Sequence, residues 1–115
     1  MFGSKQASED GLRKMVKKGK WDKLRKHYLY ADKATQIMLA NACSESKADG
    51  SVNLLTSLLD TEDPEIMAAA VRSLGEVGDD HVVARIRQLA ARTPADQKEL
   101  KSAISEALAK ITARA

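Results

Sequence analysis

The chain has 115 residues, room for one domain, and its 43% hydrophobic and 30% charged residues suit a folded core rather than a disordered tail. Only 3% are aromatic and two are proline, which argues for helices and against a β-sandwich or barrel. The net charge of +3 is uneven: residues 1–33 hold ten Lys/Arg against four acids, and the remainder is net acidic. In chain order, residues 1–7 lack apolar periodicity and are expected to form a flexible N-terminus ahead of a single domain over 8–115. Leu12, Met15 and Val16 then recur at helical spacing, with Arg13, Lys14, Lys17 and Lys18 opposite and Gly19 as a stop. A second helix is predicted from Trp21 to about Leu29, with Trp21, Leu24 and Tyr28 inward. Asp32 can cap a third through Thr35, Met38, Leu39, Ala42 and Cys43. After a polar break over 45–50, a fourth helix is predicted from Ser51 to Leu59. Asp63-Pro64-Glu65 places an N-cap, a first-turn proline and a carboxylate at the positive end of the fifth, which stops at Gly78. Asp79 or Asp80 caps the sixth, and Thr93-Pro94 repeats the cap-plus-proline device before the seventh. No segment alternates with period two.

A period of about 31 residues runs through this pattern. Trp21, Val52 and Val83 coincide on shifting, as do Leu24, Leu55 and Ile86, and then His27, Leu58 and Leu89. The following helices coincide too, Cys43 falling on Leu74; a shift of 34 sets Leu74 on Leu108. Helical hairpins recurring at this period cannot bury their apolar faces alone and must stack on one another. Units of about 20–49, 50–78 and 79–112 are expected, behind an N-terminal cap helix.

The stretch from Asp63-Pro64 through Ala68-Ala69-Ala70 and Leu74-Gly75 to Gly78-Asp79 resembles a HEAT repeat of the short bacterial kind, also found in phycobilisome-lyase-like proteins. Residues 50–92 carry the resemblance best; 20–49 and 93–112 follow it more loosely. It implies a right-handed α-α superhelix, all-α, with a groove along the second helices. Met67 stands where the family usually has Arg, with Gln36 and Lys101 in the matching slots, so an Asp–Arg ladder is not expected. A lyase subunit or chaperone is suggested only by family analogy.

The residues offer little for catalysis. His27 occupies a leucine slot and is expected to pack, partly buried; His81 follows a cap and is expected in solvent. Cys43, the single cysteine, excludes an internal disulfide and is expected to be an inert core thiol. His27, Cys43 and His81 lack zinc-ligand spacing, and the acidic clusters near Asp63 and Asp79 lack the ligand order of a calcium loop. No phosphate loop or nucleophile elbow is present, so neither enzyme, metal nor cofactor is expected.

Binding surfaces remain. Gln36, Ile37, Ala40, Met67, Val71, Arg72 and Lys101, with Asn41, Ala68 and Ser105 near them, are expected to line a groove that receives a partner protein segment. Met67 and Val71 with Ile37 and Ala40 would form its apolar strip. Lys14, Lys17, Lys18, Lys20, Lys23 and Lys26 form a basic end that would steer an acidic partner or, as the alternative function, contact nucleic acid. Trp21, Tyr28 and Tyr30 interleave with the basic residues, but Trp21 and Tyr28 lie on the core stripe, which speaks against their use as stacking platforms. The lack of a long apolar run predicts no membrane span, and residues 1–6 lack the apolar stretch of a signal peptide. A cytoplasmic monomer or weak homo-oligomer is expected.

Overall fold

The computed structural model describes residues 7–114. Seven α-helices are present among them, α1 (Glu9–Lys17), α2 (Trp21–Tyr28), α3 (Lys33–Ala42), α4 (Asp49–Leu58), α5 (Pro64–Val77), α6 (Val83–Arg92) and α7 (Lys98–Arg114). Short 3₁₀ turns, Cys43–Glu45, Leu59–Thr61 and Asp80–Val82, link three of the junctions. The expected flexibility of residues 1–7 lies outside the described residues except at Ala7, which is half-buried against the core.

Side chains cap the starts of α1 and α5, while Asp32, expected to cap α3, stands at its N-cap position without a capping hydrogen bond. The Ser8 hydroxyl accepts from the Gly11 amide at 3.0 Å, and Asp63 Oδ1 accepts from Glu65 and Ile66 at 2.9 and 3.2 Å, satisfying amides that a helix start leaves open. Two boundaries differ from expectation. Helix α4 begins at Asp49, because Ser51 is needed inside: its buried hydroxyl donates to the Cys43 carbonyl at 2.6 Å and closes the α3–α4 junction. Thr93-Pro94 does not cap α7. Thr93 instead donates its hydroxyl back to Leu89 at 2.7 Å, Pro94 opens a turn to Gln97, and α7 starts at Lys98.

The helices form two rows in a slab 43 × 30 × 18 Å, thick enough for two packed helix layers. The inner row is α1, α3, α5, α7, each packed broadly on the next; the outer row is α2, α4, α6, whose members touch one another sparingly. Tight inner spacing and splayed outer helices bend the stack into an α-α solenoid, concave over the inner row. Helix α1 takes an inner-row position and closes that end of the stack.

The repeat positions become one seam. Leu24, Leu55 and Ile86 are each completely buried where an outer helix meets its own inner partner. Trp21 is half-buried over Gly50, where a Cβ would lie 2.4 Å from the indole, so only glycine lets the ring cover α4. His27 breaks the pattern. Leu89, in the matching slot, is buried beside Pro64 and Met67 of α5, whereas His27 is exposed rather than packed.

Candidate functional site on the inner face

A cleft of about 310 Å³ crosses all four inner helices. Its walls are Glu9 and Arg13 of α1, Asn41 and Ser44 at the end of α3, Arg72, Ser73 and Glu76 of α5, and Glu106, Ala107 and Lys110 of α7. Three acids and three bases therefore face a small polar floor. They reach these places because α5 is buried along most of its length, and of its inner-face residues Arg72 and Glu76 remain at the solvent edge.

Most of the charged walls are tied to the neighbouring helix. Arg13 donates to Glu9 at 2.8 Å and to Glu45 at 2.6 Å, and Asn41 donates to the other oxygen of Glu9 at 3.2 Å. Lys33 meets Asp63 at 3.1 Å and Glu65 at 2.7 Å; Lys110 pairs with Glu76, and Arg72 meets Glu99 at 3.4 Å. Arg114 closes the end of α5 by donating to the carbonyls of Gly75 and Gly78 at 2.7 and 2.8 Å. Below them the buried Ser73 hydroxyl donates to Ala40 at 2.7 Å, joining α5 to α3. Glu106 stands out, exposed and outside any ion pair among the described residues.

These contacts hold several carboxyls below their ordinary range. Arg13, by hydrogen bond, lowers Glu9 and Glu45, and Lys110 lowers Glu76. Burial alone would raise Asp63, but the Ile66 and Glu65 amides and the Lys33 ammonium together outweigh it. Each group binds its proton less readily folded than unfolded, so its contribution is fully present at neutral pH and is lost as pH falls through and below the ordinary carboxylate range. The urea midpoint is therefore expected to drop on acidification, and Arg13→Met to flatten the part of that drop owed to Glu9 and Glu45. An unchanged acid dependence in Arg13→Met would show that those pairs do not contribute.

The expected groove residues are mostly elsewhere. Ala40 and Val71 are completely buried and Met67 is 8% exposed. The apolar strip expected to receive a partner is thus core: an inner helix is covered by neighbours on two sides and by its own outer helix. Ala68 is buried with them, and Ile37 is half-buried against the core. Gln36 donates to the Leu29 carbonyl at 2.7 Å and locks the α2–α3 turn. Lys101 and Ser105 are exposed on α7 outside the cleft. Of the expected set, Arg72 and Asn41 line the cleft. Glu9, Arg13, Ser44, Ser73, Glu76, Glu106 and Lys110 were missed, though several were marked by a partner of suitable chemistry one repeat away.

Elsewhere, Cys43 is buried and its thiol is pushed up to about 11, chiefly by burial, against a contact with Ser51 that acts the other way. Such a thiol is protonated at neutral pH and a poor nucleophile. Asp79, Asp80 and His81 bring ligand-type atoms within 4.8 Å of one another, all exposed. Asp79 accepts from the His81 amide at 2.9 Å, the capping role expected of it. Lys14, Lys17, Lys18, Lys20, Lys23 and Lys26 are all exposed, Lys17 alone among them lying near an acid, Glu45, at 3.7 Å. Among the described residues no helix is long and apolar enough to cross a membrane.

No curated protein and no solved structure matches the chain significantly. A family model described as HEAT repeats matches residues 21–109, which begin at the first residue of α2 and end within α7, covering all three hairpins. With the stacked hairpins and the seam at Leu24, Leu55 and Ile86, that match places the chain in the HEAT-repeat family.

Proposed function

We propose that the protein is a non-catalytic interaction module that holds a segment of a partner protein against its inner face. HEAT repeats are commonly scaffolds for protein interaction, which sets the class. The observation that supports this particular reading is the cleft crossing all four inner helices, lined by side chains already fixed by inter-helix hydrogen bonds. Fixed groups lose little conformational freedom on binding, so their contacts are not offset by ordering costs. Acids and bases balance along the walls, which fits a polar segment carrying both signs rather than an apolar helix. Arg72 and Glu106, both exposed, offer it one charge of each sign.

A photo-crosslinking residue introduced at Arg72 or Glu106 is expected to capture the same partner from native extract. The same residue at Arg87, exposed on the outer helix α6, is expected not to. Capture of one partner equally from both faces, or from neither, would overturn the reading.

A further inference from the structure

The lysine-rich end carries a second surface, independent of the inner cleft. Tyr30 is 84% exposed, and among the described residues no other large hydrophobic side chain is exposed. It follows α2 directly: Leu29 keeps a right-handed helical backbone, at φ −62° and ψ −35°, so the helical track runs on toward Tyr30. At 100° per residue, Lys23, Lys26 and Tyr30 fall on the side of α2 opposite Leu24 and Tyr28, and Lys20 stands just ahead of the helix as its N-cap residue. The row from Lys23 to Tyr30 is about 10 Å long at the helical rise.

We propose that this row binds single-stranded nucleic acid, Tyr30 stacking on a base while Lys20, Lys23 and Lys26 contact neighbouring phosphates. The charges are available: all three lysines are exposed and form no ion pair among the described residues, whereas Lys33 on the adjoining helix is held by Asp63 and Glu65. Asp22 is the single acid on α2. An open aromatic face beside a line of ammonium groups matches a chain in which bases and phosphates alternate. A duplex would waste the ring, since its bases are already stacked on one another. A lipid surface fits less well, because a lone phenol with no exposed apolar neighbours provides nothing to bury among acyl chains. The other aromatic side chains nearby, Trp21 and Tyr28, are packed against the core and are not part of the row.

The test is fluorescence anisotropy of the full chain with labelled oligouridylate, a matched RNA duplex and phosphatidylserine vesicles, as a function of salt. Expected is preference for the single strand, with log affinity falling against log salt at a slope near −2, about −0.7 for each of three phosphates. Tyr30→Ala is expected to weaken binding about tenfold or more and Tyr30→Phe to keep it, since stacking needs the ring and not the hydroxyl. Lys23→Glu with Lys26→Glu should abolish binding, with helicity by circular dichroism unchanged because both side chains are in solvent. Arg72→Glu should leave it intact, which separates this surface from the inner cleft. No binding to oligouridylate at low salt, equal binding to the duplex, loss-free Tyr30→Ala, or binding to the vesicles alone would each overturn the proposal.

Discussion

Leu74→Ala is expected to destabilise the fold by about 2–5 kcal/mol, the range for removing a fully buried leucine side chain and leaving a cavity. Leu74 is completely buried in the C-terminal half of α5, the helix that packs on α3, α4 and α7 together. Three helices would have to collapse into the gap at once, and their spacing from α5 is already fixed by the Ser73 bond to α3 and the Arg114 bond from α7, so relaxation is restricted. A domain of this size is stable by roughly 5–15 kcal/mol, which makes the loss a large fraction of the whole. In a stack whose hairpins contact only their neighbours, position matters as much as burial. Leu12→Ala on α1 removes an equally buried leucine, but α1 touches only one end of the stack. Urea unfolding separates the two. Leu74→Ala should lower the midpoint with the slope unchanged, whereas Leu12→Ala should broaden the transition as α1 detaches first. Equal effects on midpoint and slope from both substitutions would mean the chain behaves as one undivided core.

The architecture was legible because burial in a solenoid repeats. Leu24, Leu55 and Ile86 coincide at a fixed shift, and all three are buried on the same seam. Caps were legible where one side chain does one local task, as at Asp63. They were not where a tertiary or backward contact competes: Thr93, expected to cap α7, bonds back to Leu89 instead. His27 was misplaced for a related reason. The matching Leu89 meets Pro64 and Met67 of the neighbouring α5, a tertiary contact that the repeat alone does not promise for His27, which is exposed.

The candidate site was read less well, because an apolar helix face does not say how many neighbours it has. Met67 and Val71 are buried because α5 packs against α3, α4 and α7 together. The signal that could have found the cleft is a period in charge rather than in hydrophobicity. Arg13 meets Glu45 and Lys33 meets Glu65, each 32 residues on, and Glu76 meets Lys110 34 residues on. Residues about one repeat apart come close across neighbouring inner helices and their junctions, and opposite charges there bridge the hairpins. These pairs replace the Asp–Arg ladder whose absence was expected from Met67, Gln36 and Lys101.

Gly75→Ala is expected to destabilise the fold, although helix propensity alone predicts the reverse. Replacing a mid-helix glycine by alanine ordinarily gains about 1 kcal/mol. Here a Cβ would lie 2.9 Å from the Ala107 Cα and 3.1 Å from its Cβ, so the obstruction is backbone and cannot be relieved by a rotamer. Helix α7 would have to move outward, while Lys110 on Glu76 and Arg114 on the Gly75 and Gly78 carbonyls hold it close. Overpacking of this kind costs about 1–3 kcal/mol, enough to exceed the propensity gain across most of that range. Ala107→Gly should rescue the variant only in part, since it removes the Cβ contact and leaves the shorter one to Cα. The same displacement would widen the inner cleft, because Ser73 and Glu76 form one of its walls and Ala107 and Lys110 the facing one. Lower stability together with weaker crosslinking from Arg72 would tie the close α5–α7 approach to partner capture. A Gly75→Ala chain more stable than the parent would show that α7 yields freely and that the cleft is not held in a fixed shape.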